Sequence, residues 1–251
     1  MRPTTSYIVW TSQRTGSTLL CKTLELTGIA GKPNELLNVG EPFDLFKMYE
    51  VDTPEALQRK LWELGTTPNG VFGLKLGVHE PHHTRMLDHF RPLPECPPDP
   101  RSRAAIWECA FPNLKHISLL RRNKVRLAVS WWKAIKSEEW HRKTGEPPQP
   151  GDMRDAYHFP ALHNLFLQAS FREAAVQEFF TEGGIVPLTI VHEDFIADYY
   201  GTVKRVIDFL GISSAEPWQI APPFYEKLAD EVSEEWVQRF SDECQKKFIG
   251  G

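Results

Sequence analysis

The pattern of apolar and polar residues near the N-terminus predicts a strand, a loop and a helix in succession. Residues 7–10 are apolar, β-branched or aromatic, as in a buried strand, and the polar segment 11–18 follows them. Residues 19–26 then show apolar positions at helical spacing, and Gly28 ends this pattern. This succession is the first half of a βαβ unit, in which the helix covers one face of the sheet.

The same alternation continues along the rest of the chain. Further strands are predicted at residues 71–76, 115–120 and 185–191. Further helices are predicted at residues 54–64, 124–140, 160–182 and 202–210. Strands that alternate with helices indicate an α/β fold of three layers, with a mostly parallel central sheet between two layers of helices. Ligands of such folds bind at the carboxyl ends of strands, which directs attention to the segments after residues 10 and 120.

A proline-rich segment at residues 91–103 interrupts the alternation. Its prolines exclude regular structure and predict a surface loop. We expect no domain boundary there, because the strand at residues 115–120 resembles a central parallel strand and needs neighbours from both sides of the loop. The length of 251 residues also suits one α/β domain. We therefore predict a single domain over residues 1–251.

The composition is typical of a globular protein that folds in water. Hydrophobic residues make up 41% of the chain, and 29 basic residues against 33 acidic ones give a net charge of −4. This balance offers no broad basic surface, so we expect neither nucleic acid nor an anionic membrane as a partner. The longest apolar stretches are strand-sized, which predicts no insertion into a membrane. Any bound anion therefore requires a local site.

The N-terminus and the cysteines bear on the cellular compartment and on metals. No apolar run with a small-residue cleavage site follows Met1, so we expect a cytoplasmic location. The 4 cysteines are scattered without a Cys-x-x-Cys pair, which argues against a zinc site and against a disulfide scaffold. We read them as free thiols and expect no metal cofactor.

The segment between the first strand and the first helix contains the residues of a phosphate-binding loop. Gly16 permits close approach of the backbone, Ser17 and Thr18 supply hydroxyl groups at the start of the helix, and Arg14 supplies a planar cation. An ordinary turn with a Ser or Thr cap is the alternative. The residues that we expect to bind the anion are Gln13, Arg14, Thr15, Gly16, Ser17 and Thr18. The glycine and lysine spacings of nucleoside triphosphatases and dinucleotide enzymes are absent from this segment.

A second anion site is predicted after the strand at residues 115–120. Arg121 and Arg122 stand at its carboxyl end, and Ser130 lies two turns into the following helix. An arginine and a hydroxyl group in these positions would bind a second phosphate group. A solvated strand end is the alternative for the two arginines taken alone. Both arginines remain candidates for the phosphate ligand.

Several segments together carry a resemblance to a known family. They are Ser12-Gln13-Arg14-Thr15-Gly16-Ser17-Thr18-Leu19-Leu20, Arg121-Arg122 with Ala128-Val129-Ser130, and residues 31–35, 68–75 and 234–239. The chain resembles the sulfotransferases that use 3′-phosphoadenosine 5′-phosphosulfate (PAPS) and, within them, the bacterial trehalose 2-sulfotransferase-like family. The resemblance implies a P-loop-like fold, PAPS as the donor, no metal and a homodimer. It also implies a small carbohydrate or glycolipid head group as the acceptor, most plausibly a trehalose-like sugar.

The resemblance implies roles for individual residues. Glu35, in the context Pro33-Asn34-Glu35-Leu36-Leu37, corresponds to the base that accepts the proton of the acceptor hydroxyl group. The apolar residues Leu36 and Leu37 are expected to help raise the pKa of this carboxyl group. Arg14 is our candidate for stabilising the leaving 5′-phosphate. Lys75 would contact the sulfuryl group or the acceptor, with an ordinary strand-end lysine as an equal alternative.

Histidines and tryptophans give less definite predictions. His79, His82 and His83 are read as surface residues rather than as a metal set or a catalytic base. Trp131 and Trp132 are read as packing residues. The tryptophans considered for stacking on a sugar, without a choice among them, are Trp107, Trp140, Trp218 and Trp236. An ATP-dependent small-molecule kinase and a non-catalytic nucleotide-binding protein are the alternative functions.

Overall fold

A sheet of four parallel strands forms the centre of the described part of the molecule. The computed structural model describes residues 1–38, 43–77, 79–98, 102–149, 151–213 and 217–249. The strands are β1 (Thr5–Thr11), β2 (Val71–Gly77), β3 (Leu114–Leu120) and β4 (Leu188–Val191). They lie in the order β2-β1-β3-β4, and every neighbouring pair is parallel. The prediction of a parallel central sheet is confirmed.

Helices connect and follow these strands. The α-helices are α1 (Ser17–Leu26), α2 (Leu45–Tyr49), α3 (Pro54–Gly65), α4 (His82–Asp88), α5 (Arg103–Ala110), α6 (Lys124–Ser137), α7 (Phe159–Gly183), α8 (His192–Ala197), α9 (Tyr199–Leu210) and α10 (Glu231–Cys244). A 3₁₀ turn at Arg154–Ala156 and a π-helical turn at Gln245–Ile249 complete the elements. Among the described residues, no helix has the length and apolar character needed to span a membrane.

Alternate residues of β1 explain why helices cover both faces of the sheet. Tyr7 and Val9 point to one face and pack with α1, α8 and α9. Ile8 and Trp10 point to the other face and pack with α3, α5 and α7. Because a parallel strand is buried on both faces, it needs apolar side chains at successive positions, and β1 has them. The three-layer α/β/α arrangement is therefore confirmed.

The strand order places the binding region. The connection from β1 leads to β2 on one side, whereas the connection from β3 leads to β4 on the other side. The carboxyl ends of β1 and β3 therefore flank the point where the order of the strands reverses. Ligands of open α/β sheets bind in the crevice at this position. The two segments identified in the sequence follow these two strands and lie next to each other.

Several boundaries differ from the sequence-based predictions. The helices α2, α4, α5, α8 and α10 were not predicted, and the segment 91–103, predicted as a loop, already contains the first residue of α5. Residues 99–101 of that segment lie outside the described residues. The helix predicted to reach residue 140 ends at Ser137, since Glu138 adopts a left-handed conformation with φ 58°. The last strand is shorter than predicted and begins at Leu188.

Two glycines with the same backbone conformation give a matched stability prediction. Gly31 has φ 71°, and a Cβ atom there would lie 2.6 Å from the backbone nitrogen of Gly73 in β2. Gly28 has φ 72°, and no atom of the described residues lies within 4 Å of such a Cβ. We expect Gly28→Ala to cost about 1 kcal/mol of unfolding free energy and Gly31→Ala about 1–3 kcal/mol more. Urea titrations of both variants measure this difference, and equal losses would contradict the close contact.

Candidate active site

The loop between β1 and α1 is held in shape by its own hydroxyl groups and by left-handed residues. Thr15 is buried, and its Oγ1 lies 2.5 Å from Thr11 Oγ1 and 3.1 Å from the carbonyl oxygen of Ser12. Arg14 and Gly16 have φ values of 62° and 86°. Gly16 precedes α1 without a side-chain cap, so N–H groups of the first turn are available to a ligand.

His192, at the start of α8, contacts the backbone of this loop, and the sequence analysis did not identify it as a site residue. Its Nδ1 lies 3.0 Å from the carbonyl oxygen of Thr15, and because a carbonyl only accepts, Nδ1 carries the proton. Burial, followed by the charge of Arg121, lowers the pKa of His192 to about 4, so the ring is neutral at pH 7. A Cβ atom on Gly16 would lie 2.7 Å from the same nitrogen, which explains why glycine occupies that position.

Arg14 joins the two predicted anion sites. Its Nε donates a hydrogen bond to Ser130 Oγ over 3.0 Å, and its terminal nitrogen donates to the carbonyl oxygen of Trp140. Burial and, second, the charge of Arg121 lower the pKa of Arg14 to about 10, which leaves the guanidinium charged at neutral pH. The loop after β1 and the first half of α6 therefore line one continuous cationic region.

The two arginines that follow β3 have different environments in the structure. Arg121 donates to the carbonyl oxygen of Arg14 over 3.2 Å, and its buried Nε has no hydrogen-bond partner among the described residues. Burial lowers the pKa of Arg121. Arg122 is exposed and donates to both carboxylate oxygens of Asp194 at 2.9 Å and 2.8 Å. Arg121 therefore faces the loop, whereas Arg122 is engaged on the surface.

Glu193 fixes the turn after β3 and was also not predicted. Its carboxylate accepts hydrogen bonds from the backbone nitrogens of Arg122 and Asn123, each over 3.0 Å. Partial burial raises the pKa of Glu193, but these backbone hydrogen bonds outweigh burial and lower it overall. The first turn of α8 thus contacts both the loop after β1 and the turn after β3.

Glu35 and Lys75 meet beside the loop. Lys75 Nζ lies 2.9 Å from Glu35 Oε1 and donates to Thr18 Oγ1 over 3.1 Å, while Asn38 donates to Glu35 Oε2 over 3.2 Å. Burial raises the pKa of Glu35, but the charge and hydrogen bond of Lys75 outweigh it, so the pKa lies below its usual value. The expectation of a raised pKa is wrong, because a cation from β2 faces the carboxylate.

Arg172, on α7, extends the cationic region to the tip of the loop. Its guanidinium donates to Gln13 Oε1 and lies 5.1 Å from the centre of the Trp131 ring. Trp131 is buried and Trp132 donates to a backbone carbonyl over 2.8 Å, as packing residues would. No motif surrounds Arg172 in the sequence, and only the packing of α7 against α6 brings it to the loop.

The three histidines after β2 have different environments, and the charge of Arg172 reaches His79. His83 is only 1% exposed and accepts a hydrogen bond from Trp107 Nε1 over 3.0 Å, so the expectation of a surface residue is wrong for it. His79 and His82 are half-buried. Among the described residues, no group of His, Cys, Asp and Glu side chains has the arrangement of a metal site.

The tryptophans considered for stacking on a sugar divide into two groups. Trp107 and Trp236 are buried in the core, which removes them from any surface that a ligand contacts. Trp218 packs at the edge of the core beside α1 and α9. Trp140 is 42% exposed, and its backbone carbonyl is bonded to Arg14.

Two buried histidines predict a loss of stability in acid. Burial lowers the pKa of His83 and His116 to about 4, against about 6.5 in an unfolded chain. Below about pH 6.5 the unfolded chain binds protons that the folded chain does not, so the free energy of unfolding falls as the pH falls toward 4. At pH 5 we expect a loss of about 2 kcal/mol for each histidine relative to pH 7.

Urea titrations at pH 7 and pH 5 measure this loss. His116 accepts a hydrogen bond from Trp10 Nε1 over 2.9 Å. His116→Gln retains an acceptor for Trp10 but does not titrate, so its stability should fall less between the two pH values. An equal fall in the free energy of unfolding of the variant and of the wild type would show that His116 does not contribute to the loss in acid.

Comparison with known proteins identifies the class to which this fold and site belong. The sequence matches the family model of the Stf0 sulphotransferases over residues 6–243, so the chain belongs to this family of sulfotransferases. Proteins named trehalose 2-sulfotransferase from Mycolicibacterium smegmatis and Mycobacterium tuberculosis are each 28% identical to it, over alignments of 272 and 265 residues. Each alignment covers 96% of this chain and 96% of the relative.

A solved structure supports the fold. The crystal structure of a sulfotransferase from Alicyclobacillus acidocaldarius superposes with a TM-score of 0.51 at 16% sequence identity. The superposition covers 98% of this chain and 94% of the other. The likeness confirms the P-loop-like three-layer fold.

Proposed function

We propose that the protein transfers the sulfuryl group of PAPS to a hydroxyl group of a small carbohydrate or glycolipid head group, with a trehalose-like sugar favoured. The family match and the two relatives named trehalose 2-sulfotransferase support this proposal. The observation that carries it is the position of Lys75, which contacts both Thr18 in the loop and Glu35. Sulfuryl transfer to a hydroxyl group needs this combination of an anion-binding loop and a carboxylate that accepts a proton.

The cationic region fits a donor that carries anionic groups at two ends. Arg121 Nε is buried without a partner in the described chain, and the first turn of α1 has no side-chain cap. Both features leave N–H groups for phosphate oxygens. We assign the 5′-phosphosulfate group to residues 13–18 and the 3′-phosphate group to Arg121 and Ser130. Arg122 is the weaker candidate, because Asp194 already binds it.

The residues of the site would divide the work of the reaction. PAPS, when bound, supplies the sulfuryl group and the 5′-phosphate leaving group. Glu35 accepts the proton of the acceptor hydroxyl group as the acceptor oxygen bonds to sulfur and the bond from sulfur to the 5′-phosphate oxygen breaks. Arg14 and the loop N–H groups stabilise the electron pair left on that oxygen, and adenosine 3′,5′-bisphosphate is released.

The alternative functions are not favoured. The family match is to sulfotransferases, and the loop lacks the lysine with which nucleoside triphosphatases contact phosphates. A protein that only binds nucleotides has no need for a carboxylate beside the loop, whereas Glu35 is partly exposed and within reach of a ligand. A non-catalytic protein does not explain the Glu35–Lys75 pair, and a kinase is disfavoured by the family match and the missing loop lysine.

Label transfer tests the proposed function. With PAPS labelled in its sulfuryl group, we expect label in trehalose or in another sugar of a panel, and turnover that persists in the presence of a chelator. Phosphate transfer from labelled ATP and Mg²⁺ to the same sugars should be absent. Phosphate transfer, or complete loss of turnover on chelation, would favour a kinase, and donor binding without transfer to any acceptor would favour a non-catalytic protein.

The Glu35–Lys75 pair predicts a pH dependence. Because the Lys75 charge holds the pKa of Glu35 below its usual value, kcat/KM of the wild type should not decline until the pH falls below that range. In Lys75→Met the burial of Glu35 remains and the cation is lost. The decline of kcat/KM in acid should therefore begin at a higher pH than in the wild type. Lys60→Met, which removes a surface lysine from α3, is the control. A decline of kcat/KM over the same pH range in all three proteins would contradict the effect of Lys75 on Glu35.

A further inference from the structure

Two aromatic rings that contact each other have no part in the chemistry assigned so far. They belong to His141, which follows α6, and to Tyr225, which precedes α10. Partial burial and the charges of Arg14 and Lys75 lower the pKa of His141, whereas the charge of Glu35 raises it. The ring of His141 therefore lies within electrostatic range of all three groups that we assign to the reaction.

Backbone pairing holds the two rings together. An antiparallel bridge joins Lys143 to Tyr225, and the nitrogen of Glu226 donates to the carbonyl oxygen of Arg142 over 2.9 Å. The ring centres of His141 and Tyr225 lie 5.1 Å apart with an angle of 39° between the planes. The positions of the rings are therefore set by the backbone rather than by their own contact.

Two further contacts anchor this pair of segments. Arg142 lies between Glu139 and Glu226, at 3.7 Å and 3.4 Å, and its side chain is only 13% exposed. At the other end, the carbonyl oxygen of Trp140 accepts a hydrogen bond from Arg14. The segment that carries His141 is thus attached to the loop on one side and to the Tyr225 segment on the other.

The two rings remain accessible to a ligand. His141 is exposed and Tyr225 is half-buried. Lys75 occupies the side of Glu35 that faces Thr18, so an acceptor must approach the carboxylate from another side. The charges of both Glu35 and Lys75 reach the ring of His141. An aromatic face and a polar ring nitrogen held at a fixed spacing suit a ligand with a C–H surface and several hydroxyl groups.

We propose that His141 and Tyr225 form one wall of the acceptor site and bind a sugar beside Glu35. The Tyr225 ring packs against a C–H face of the sugar, and His141 hydrogen-bonds to a hydroxyl group that does not react. The inference rests on the proposed function, because a sugar is the acceptor class proposed above. It assigns specificity to two residues outside the donor site.

Steady-state kinetics with trehalose, or with whichever sugar of the panel the wild type sulfates, tests this inference. Tyr225→Ala and His141→Ala should each raise KM for the sugar by about tenfold. Their kcat at saturating sugar should stay within about threefold of the wild type. The Kd for adenosine 3′,5′-bisphosphate, measured by calorimetry, should be unchanged. Tyr225→Phe retains the ring and should restore most of the affinity for the sugar.

The control is Tyr200→Ala, which removes an exposed tyrosine from α9 and should leave every constant unchanged. An unchanged KM for the sugar in both alanine variants would overturn the inference while the proposed function stands. A rise in the Kd of the donor product by the same factor as KM would also overturn it, because the residues would then act through the fold. Absence of sulfation of any sugar by the wild type would overturn the proposed acceptor class and this inference with it.

Discussion

Glu35→Gln should lower kcat by about 10²–10⁴-fold, which is the usual contribution of a general base. The amide has nearly the shape of the carboxylate and still accepts a hydrogen bond from Lys75, but it does not accept the acceptor proton. Glu35 is also partly exposed, so the substitution leaves no buried charge behind. The loss should appear in turnover and not in stability.

Single-turnover and steady-state assays with labelled PAPS measure the effect. The Kd for adenosine 3′,5′-bisphosphate should stay within about threefold of the wild type, because Glu35 contacts Lys75 and Asn38 rather than the loop backbone. Glu25→Gln, which removes a carboxylate paired with Lys22 on α1, is the control and should retain full turnover. Near-normal turnover of Glu35→Gln would exclude Glu35 as the base.

Arg121→Ala should weaken the binding of adenosine 3′,5′-bisphosphate by about 10- to 100-fold. Hydrogen bonds to charged groups contribute about 1.5–3 kcal/mol, and the buried Nε of Arg121, which has no partner among the described residues, would donate to a phosphate oxygen. Arg122→Ala is the matched control, because this neighbouring arginine binds Asp194 on the surface. It should change the affinity by less than about threefold.

Calorimetry with two ligands separates a phosphate contact from a general disturbance of the site. Adenosine 5′-phosphate lacks the 3′-phosphate, so its affinity should be nearly the same for the wild type and for Arg121→Ala. Equal losses for both ligands would show that Arg121 supports the loop through its contact with the Arg14 carbonyl oxygen instead. A larger loss in Arg122→Ala than in Arg121→Ala would reverse the assignment of the two arginines.

Local sequence signals made the sheet and the loop predictable. Mainly apolar runs at residues 7–10, 71–76 and 115–120 identified three of the four strands closely, because buried parallel strands need continuous apolar residues. Gly16 and its hydroxyl neighbours stand together within a few positions, so their role was visible without a structure. The short helices α4 and α5 were missed because a proline-rich segment separates them and neither has a long amphipathic pattern.

The contacts that shape the site were not predictable, because they join distant segments. Arg122 is held on the surface by a hydrogen-bonded ion pair with Asp194, and the loop backbone is contacted by His192. Both partners lie at the start of α8. The lowered pKa of Glu35 depends on Lys75 in β2, whereas the next two residues in the sequence, Leu36 and Leu37, are apolar. The single domain, the homodimer and the cytoplasmic location stay predictions from the sequence.

A crystal structure with adenosine 3′,5′-bisphosphate bound tests the central claim most directly. That claim is that one nucleotide contacts both the loop after β1 and the turn after β3, whose arginines already touch. We predict the 5′-phosphate against residues 13–18 and the 3′-phosphate against Arg121 and Ser130. A 3′-phosphate bound away from Arg121, or a 5′-phosphate outside the loop, would contradict the account.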